Sequence, residues 1–173
     1  FGGVGFVIEW KYRFTVIPSS GNEERNNYQR EYPMIYLLEL CHEHALSVDF
    51  AMFVLIWVVQ VIVYPVFHQV KEAVFVSWHR KYCNQIGFFV LPLMFLQLIE
   101  AASSSFFVGD TLAWLKLFGV LGTWLATFAV SAPCHRILAK EGLQPQVIAR
   151  LISTNWLRTF LWTLVFIVSY LQY

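Results

Sequence analysis

The sequence predicts an all-α integral membrane protein, a four-helix transmembrane bundle preceded by an N-terminal interfacial or extramembrane arm. Three observations carry this. Four apolar runs of near-spanning length follow one another in 173 residues. Charged residues make up only 13% of the chain, about half the ~25% of a soluble domain. Trp78, Trp114 and Trp156 stand at the ends of the apolar runs, where an aromatic belt meets the membrane interface.

The first run, 50–67, holds one amide, Gln60, and at helical rise covers about 27 Å, close to the ~30 Å hydrocarbon core. The second, 82–99, carries Pro92, which neighbouring helices can accommodate at the expense of a kink. The third, 112–132, has Lys116 near one end, and the fourth is 156–173. Together these define a bundle over 49–173. The arm, 1–48, has an apolar start, a loop at 17–31 rich in Asn, Ser, Glu and Arg, and a helix opened by Pro33. Glu39, His42, Glu43 and His44 make that helix too polar for the hydrocarbon core, and His42 and His44 do not share a helical face. The chain opens at Phe1 with no basic leader in view, which leaves the export route open.

Lysine and arginine set the expected orientation. The loops 68–81 and 133–154 carry Lys71, Arg80, Lys81, Arg136, Lys140 and Arg150 and should face the cytoplasm, or the matrix of an organelle. The termini should lie opposite, with Glu39, Glu43, Asp49 and a Glu100–Asp110 loop that contains the polar stretch Ser103–Ser105. A net charge of +1 argues against nucleic acid. Cys41, Cys83 and Cys134 form no CxxC and no disulfide framework.

Polar residues recur every fourth position on three runs: Gly119, Thr123, Thr127 and Ser131; Gln60, Tyr64 and His68; Asn155, Thr159 and Thr163. Such stripes turn inward in lipid, where small residues let backbones approach and polar groups bond across helices. Packing alone explains them. An up-down-up-down topology also gathers His68, His79 and His135 at the basic end, with Tyr82, Cys83, Cys134, Asn155 and Arg158. Interfacial lipid contact accounts for these side chains. Two further chemistries stay open. His79, His135, Asn155, Arg158 and His68 could meet an organic cofactor such as a quinone, or a lipid headgroup. His79, Cys83, Cys134 and His135 supply the donors of a tetrahedral metal site. A haem would normally take axial histidines from within the spans rather than from their ends, and no cofactor is required by the sequence. Nucleophile elbows, HExxH and phosphate loops are absent.

Trp57, Gln60, Tyr64, Pro65 and Phe67, then Trp78, His79, Tyr82 and Ile86, then Pro92 and Met94, form a scattered pattern that resembles small bacterial four-span integral membrane proteins. Thr154, Asn155, Trp156, Leu157, Arg158, Thr159 and Trp162 resemble the start of their last helix, and His135 falls where they often carry a histidine. The resemblance covers the chain from Phe50 onward. It implies the four-span fold, draws attention to His79, His135, Asn155 and Arg158, and brings no activity. In size and hydropathy the chain is also like the anthrone-oxygenase-like four-helix membrane proteins, an analogy of fold only.

Three functions follow as expectations. The first is an accessory subunit of a larger membrane complex, with lipid and other membrane subunits as partners. The second is a redox or oxygenase-type membrane enzyme using the histidine end. The third is a small transporter, disfavoured because no acidic residue lies mid-span to relay a proton or cation.

Overall fold

The computed structural model describes residues 33–172; the expected loop at 17–31 and the apolar stretch before it lie outside the described residues. A short helix, α1 (Pro33–Glu43), leads into four helices long and apolar enough to cross a membrane: α2 (Ala45–Gln69), α3 (Glu72–Phe107), α4 (Thr111–Glu141) and α5 (Pro145–Gln172). No strand occurs among the described residues.

Connections of two or three residues force successive helices to run antiparallel. Gly109 and Gly142 take positive φ, +70° and +83°, just beyond the ends of α3 and α4, the left-handed conformation that lets the chain leave a helix without a Cβ clash. Asp110 then starts α4 by accepting a hydrogen bond from the Ala113 amide at 2.7 Å. Helix α5 packs along both α2 and α4, α3 packs against α2 and α4, and α1 lies against α3. The result is a closed four-helix bundle whose outer surface is apolar, with Phe88 and Phe106 among its most exposed side chains.

Segments 68–81 and 133–154, expected as loops, are helical over most of their length, and Ser103–Ser105 lie inside α3 rather than in a loop. The expected Glu100–Asp110 loop shrinks to Val108–Asp110. The reason is physical: hydropathy marks where a helix stops being apolar, whereas the backbone ends only where a glycine or cap ends it. Pro92 sits within α3 without terminating it.

Two wide, π-type turns interrupt the regular winding, Val59–Val63 in α2 and Thr127–Ser131 in α4. Each is followed by one residue and then a proline, Pro65 or Pro133. A proline ring collides with the carbonyl four residues back and offers that carbonyl no N–H. Widening the preceding turn relieves both problems, and such turns commonly sit at functional sites. Here they set the register of Tyr64 and His135. After the wide turn, a tight turn at Phe67–Gln69 puts Phe67 inward and leaves His68 exposed.

Candidate functional site

At the basic end, His79 is held from α3 and His135 from α4, with His79 Nε2 3.0 Å from His135 Nδ1 and the rings stacked at 5.2 Å between centroids. Cys83, one turn along α3 from His79, brings its Sγ to 3.5 Å from His79 Nε2 and 3.7 Å from His135 Nδ1. The Tyr64 hydroxyl, from α2, lies 3.4 Å from the remaining His135 nitrogen, Nε2. Aromatic rings enclose the pair: Phe67 meets both imidazoles edge-on and Phe75 stacks on His79. His79 is wholly buried. The 3.0 Å contact requires one nitrogen to donate and the other to accept, so the two rings share a single proton position between them.

Beside this cluster α5 contributes Arg158 and Asn155, both buried. Arg158 Nη1 donates to Asn155 Oδ1 at 2.9 Å and to Ser131 Oγ at 3.1 Å, and its guanidinium lies 5.0 Å from the Trp162 ring centroid. Asn155 Nδ2 donates to Gln60 Oε1 at 2.7 Å, tying α5 to α2. Arg158 Nε is buried with no protein acceptor.

A cavity of about 280 Å³ runs inward from the cluster. Its polar end is formed by His135, Cys83, Tyr64, Tyr82 and Arg158, and its length by apolar side chains such as Met52, Ile56, Val90 and Met94. Gly87, Leu91 and Phe128 line it on the α3–α4 side, where Leu91 and Phe128 are exposed on the outer surface. A Cβ added at Gly87 would meet nothing within 4 Å, so this glycine leaves open space.

Of the residues singled out in the sequence, the structure brings His79, Cys83, His135, Asn155 and Arg158 to one place. His68 points away, and Cys134 is buried among apolar side chains such as Leu138 and Ile148, outside the His79–Cys83–His135 set. Along the inward stripes, Gly119, Thr123 and Ser131 are buried on α4, and Gln60, Tyr64 and Thr159 on α2 and α5. Thr127 bonds back to the Thr123 carbonyl and Thr163 to the Thr159 carbonyl; Thr163 also accepts from Trp57 Nε1 at 3.2 Å.

Residues missed in the sequence lie at the opposite end. Lys116 Nζ sits 2.8 Å from Asp49 Oδ2 and 2.5 Å from Glu100 Oε2, and donates to Ser169 Oγ at 3.4 Å. All three charges are buried. Gln97 donates to Asp49 Oδ1 at 2.7 Å and accepts from Trp162 Nε1 at 3.1 Å. Ser104 donates to Glu100 Oε1 at 2.8 Å, and His42 of α1 reaches the same oxygen at 3.3 Å. Asp49 and Glu100, expected on the approach to the first span and in the loop after the second, lie within α2 and α3, toward one end of each rather than at mid-span. Asp49 and Glu100 are inside the bundle because Lys116 supplies the charge that makes their burial tolerable.

The sequence and structure together define a bundle of four helices long and apolar enough to cross a membrane, with a cavity that Cys83 and His135 line at its polar end. Comparison with family models, curated proteins and solved structures gives no match to this chain.

Proposed function

We propose that this protein is a redox-type membrane protein that takes a lipid-soluble molecule of the quinone class into its cavity, with the ring oxygens at the His135–Arg158 end. The observation that carries the reading is Arg158 Nε, a buried donor with no protein acceptor, on a residue that lines the cavity. Leaving such a donor unsatisfied costs about 1–3 kcal/mol, which a carbonyl oxygen in the cavity would recover. The apolar length suits a ring and an isoprenoid or alkyl tail, and the opening between α3 and α4 faces the acyl chains from which such a molecule would come. Both His135 nitrogens already face partners, His79 at Nδ1 and the Tyr64 hydroxyl at Nε2, so Arg158 is the group that meets the ring oxygen. By the positive-inside rule this end faces the cytoplasm or matrix.

The test is saturable binding of decyl-benzoquinone to the detergent-purified chain. Arg158→Gln should weaken binding by about tenfold or more, the worth of a hydrogen bond to a charged donor. Because Arg158 also ties α4 to α5, Gly87→Leu serves as a second variant that fills the cavity without touching that link. Non-saturable partitioning, identical in both variants, contradicts the proposal.

The accessory-subunit reading is a second proposal. It is favoured by outward aromatic side chains such as Phe88, Phe106 and Phe160, which another membrane helix could cover in place of lipid. A second chain copurifying in fixed ratio supports it.

A further inference from the structure

We infer that His79, Cys83 and His135 form a three-ligand site for a borderline-soft transition-metal ion, zinc or copper, at the polar end of the cavity. The inference deepens the cavity reading and rests on it for the source of the fourth ligand.

The donor atoms are His79 Nε2, Cys83 Sγ and His135 Nδ1, and their mutual separations are 3.0, 3.5 and 3.7 Å. Zinc bonds of about 2.0–2.1 Å to imidazole nitrogen and about 2.3 Å to thiolate sulfur, at tetrahedral angles, require ligand edges of about 3.4 Å between nitrogens and about 3.6 Å between nitrogen and sulfur. The two nitrogen–sulfur edges already have that length, and the nitrogen–nitrogen edge needs only a few tenths of an ångström. The three ligating atoms therefore have the spacing of a coordination triangle; Cys83 Sγ, also 3.9 Å from His79 Nδ1, lies beside the imidazole rather than ahead of Nε2, so metal binding requires the His79 ring or the Cys83 side chain to rotate.

The donor chemistry agrees. Two imidazoles and one thiolate form a set suited to zinc or copper rather than to magnesium or calcium, which take oxygen ligands. His79 and Cys83 are one turn apart on α3, so a single rigid helix supplies two ligands, and α4 supplies the third from just beyond its wide turn. A metal-bound imidazole is ordinarily oriented through its other nitrogen, and His135 Nε2 faces the Tyr64 hydroxyl at 3.4 Å. Phe67 and Phe75 pack against the rings and restrict their rotation.

Three protein ligands with an open position is the pattern of a reactive metal site, whereas structural zinc is closed by four. Cys83 and His135 both line the cavity, so the fourth ligand comes from that space: water, or an oxygen of the molecule held there. Cys134 does not close the site, since it is buried in the neighbouring apolar cluster. Arg80, Lys81 and Arg136 adjoin the three ligands in sequence and are exposed, which places the site near the basic end of the bundle rather than at its middle.

The probe is Co²⁺, titrated into chelator-treated, detergent-purified protein and followed by its absorption. The expected result is one Co²⁺ per chain with a thiolate-to-cobalt charge-transfer band and intense four-coordinate ligand-field bands, displaced by Zn²⁺. Cys83→Ser should abolish the charge-transfer band, and His79→Gln should weaken binding by at least about tenfold. Cys134→Ser should leave the spectrum unchanged. Each variant's helix content is checked by circular dichroism, and only folded variants are compared. Weak, octahedral cobalt spectra, or a charge-transfer band that survives Cys83→Ser, overturn the metal site. Decyl-benzoquinone binding, measured on the same preparations, separates the two readings. Quinone held without cobalt overturns the metal site alone, whereas Cys83-dependent cobalt without quinone supports it and overturns the cavity reading.

Discussion

Replacing Lys116 with methionine isolates the energetics of the acidic end. The substitution keeps the length and much of the volume of the side chain but removes its charge. Asp49 Oδ2 and Glu100 Oε2 then lose the cation that separates them, and both carboxylates are at most 3% exposed. Gln97 still donates to Asp49, and Ser104 and His42 still reach Glu100 through its other oxygen, so the loss is that of one ion and not of the whole network. Removing one partner from a buried ion cluster costs about 3–5 kcal/mol, because the remaining charge stays buried and uncompensated. At 1.4 kcal/mol per factor of ten, that is roughly a hundredfold to a few-thousandfold shift toward the unfolded form. Removing all the charge at once should behave differently. Asp49→Asn, Lys116→Met and Glu100→Gln together leave no buried ion, and the combined variant should be more stable than Lys116→Met alone. The assay is reversible unfolding of the purified chain in mixed micelles with increasing SDS, followed by helix content. A Lys116→Met cost below about 1 kcal/mol, the value of a solvent-exposed pair, refutes the reasoning. So does a combined variant less stable than the single one.

Three other perturbations report on separate parts of the bundle. Gly119→Ala would place a Cβ 2.8 Å from Val165 Cγ2, a branched side chain with little room to yield, and should cost about 1–3 kcal/mol in the same unfolding assay, with partial rescue by Val165→Ala. Gly87→Leu should leave stability unchanged or raise it by about 0.5–1 kcal/mol, since it removes a helical glycine without a clash, while quinone binding is lost. The Cys41 thiol is pushed above its ordinary value, first by burial and then by the Glu100 carboxylate. Its thiolate is therefore scarce at neutral pH, alkylation of Cys41 should accelerate as pH rises into the alkaline range, and Glu100→Gln should speed it at fixed pH.

The spans were legible because hydropathy and low charge are strong signals, and the short connections follow from Gly109 and Gly142. The histidine end was partly legible, because alternating helix direction alone brings His79 and His135 to the same end. The exposure of His68 was not, since a four-residue repeat assumes regular winding and the tight turn at Phe67–Gln69 breaks it. The Tyr64–Pro65 step was the available clue. The buried ion cluster was missed because Asp49 and Glu100 were read as lying just outside their runs and Lys116 as a single charge near one end of its own. A signal was nevertheless present. Lys116 precedes Gly119 and Thr123 on the same helical face, and Glu100 lies three residues after Gln97 and four before Ser104, so both charges stand on stripes that turn inward. Which carboxylates meet the lysine depends on helix pairing, which no single segment encodes.

The central claim is that the cavity holds the ring and tail of a quinone-class molecule. Photolabelling of the purified chain with a benzoquinone bearing a diazirine in its tail tests it most directly. The account predicts adducts concentrated on cavity residues such as Met52, Leu55, Ile56 and Met94, suppressed by excess decyl-benzoquinone and by Gly87→Leu. Adducts spread over the lipid-facing residues Phe88, Phe160 and Leu171, indifferent to competitor and to that variant, would contradict it.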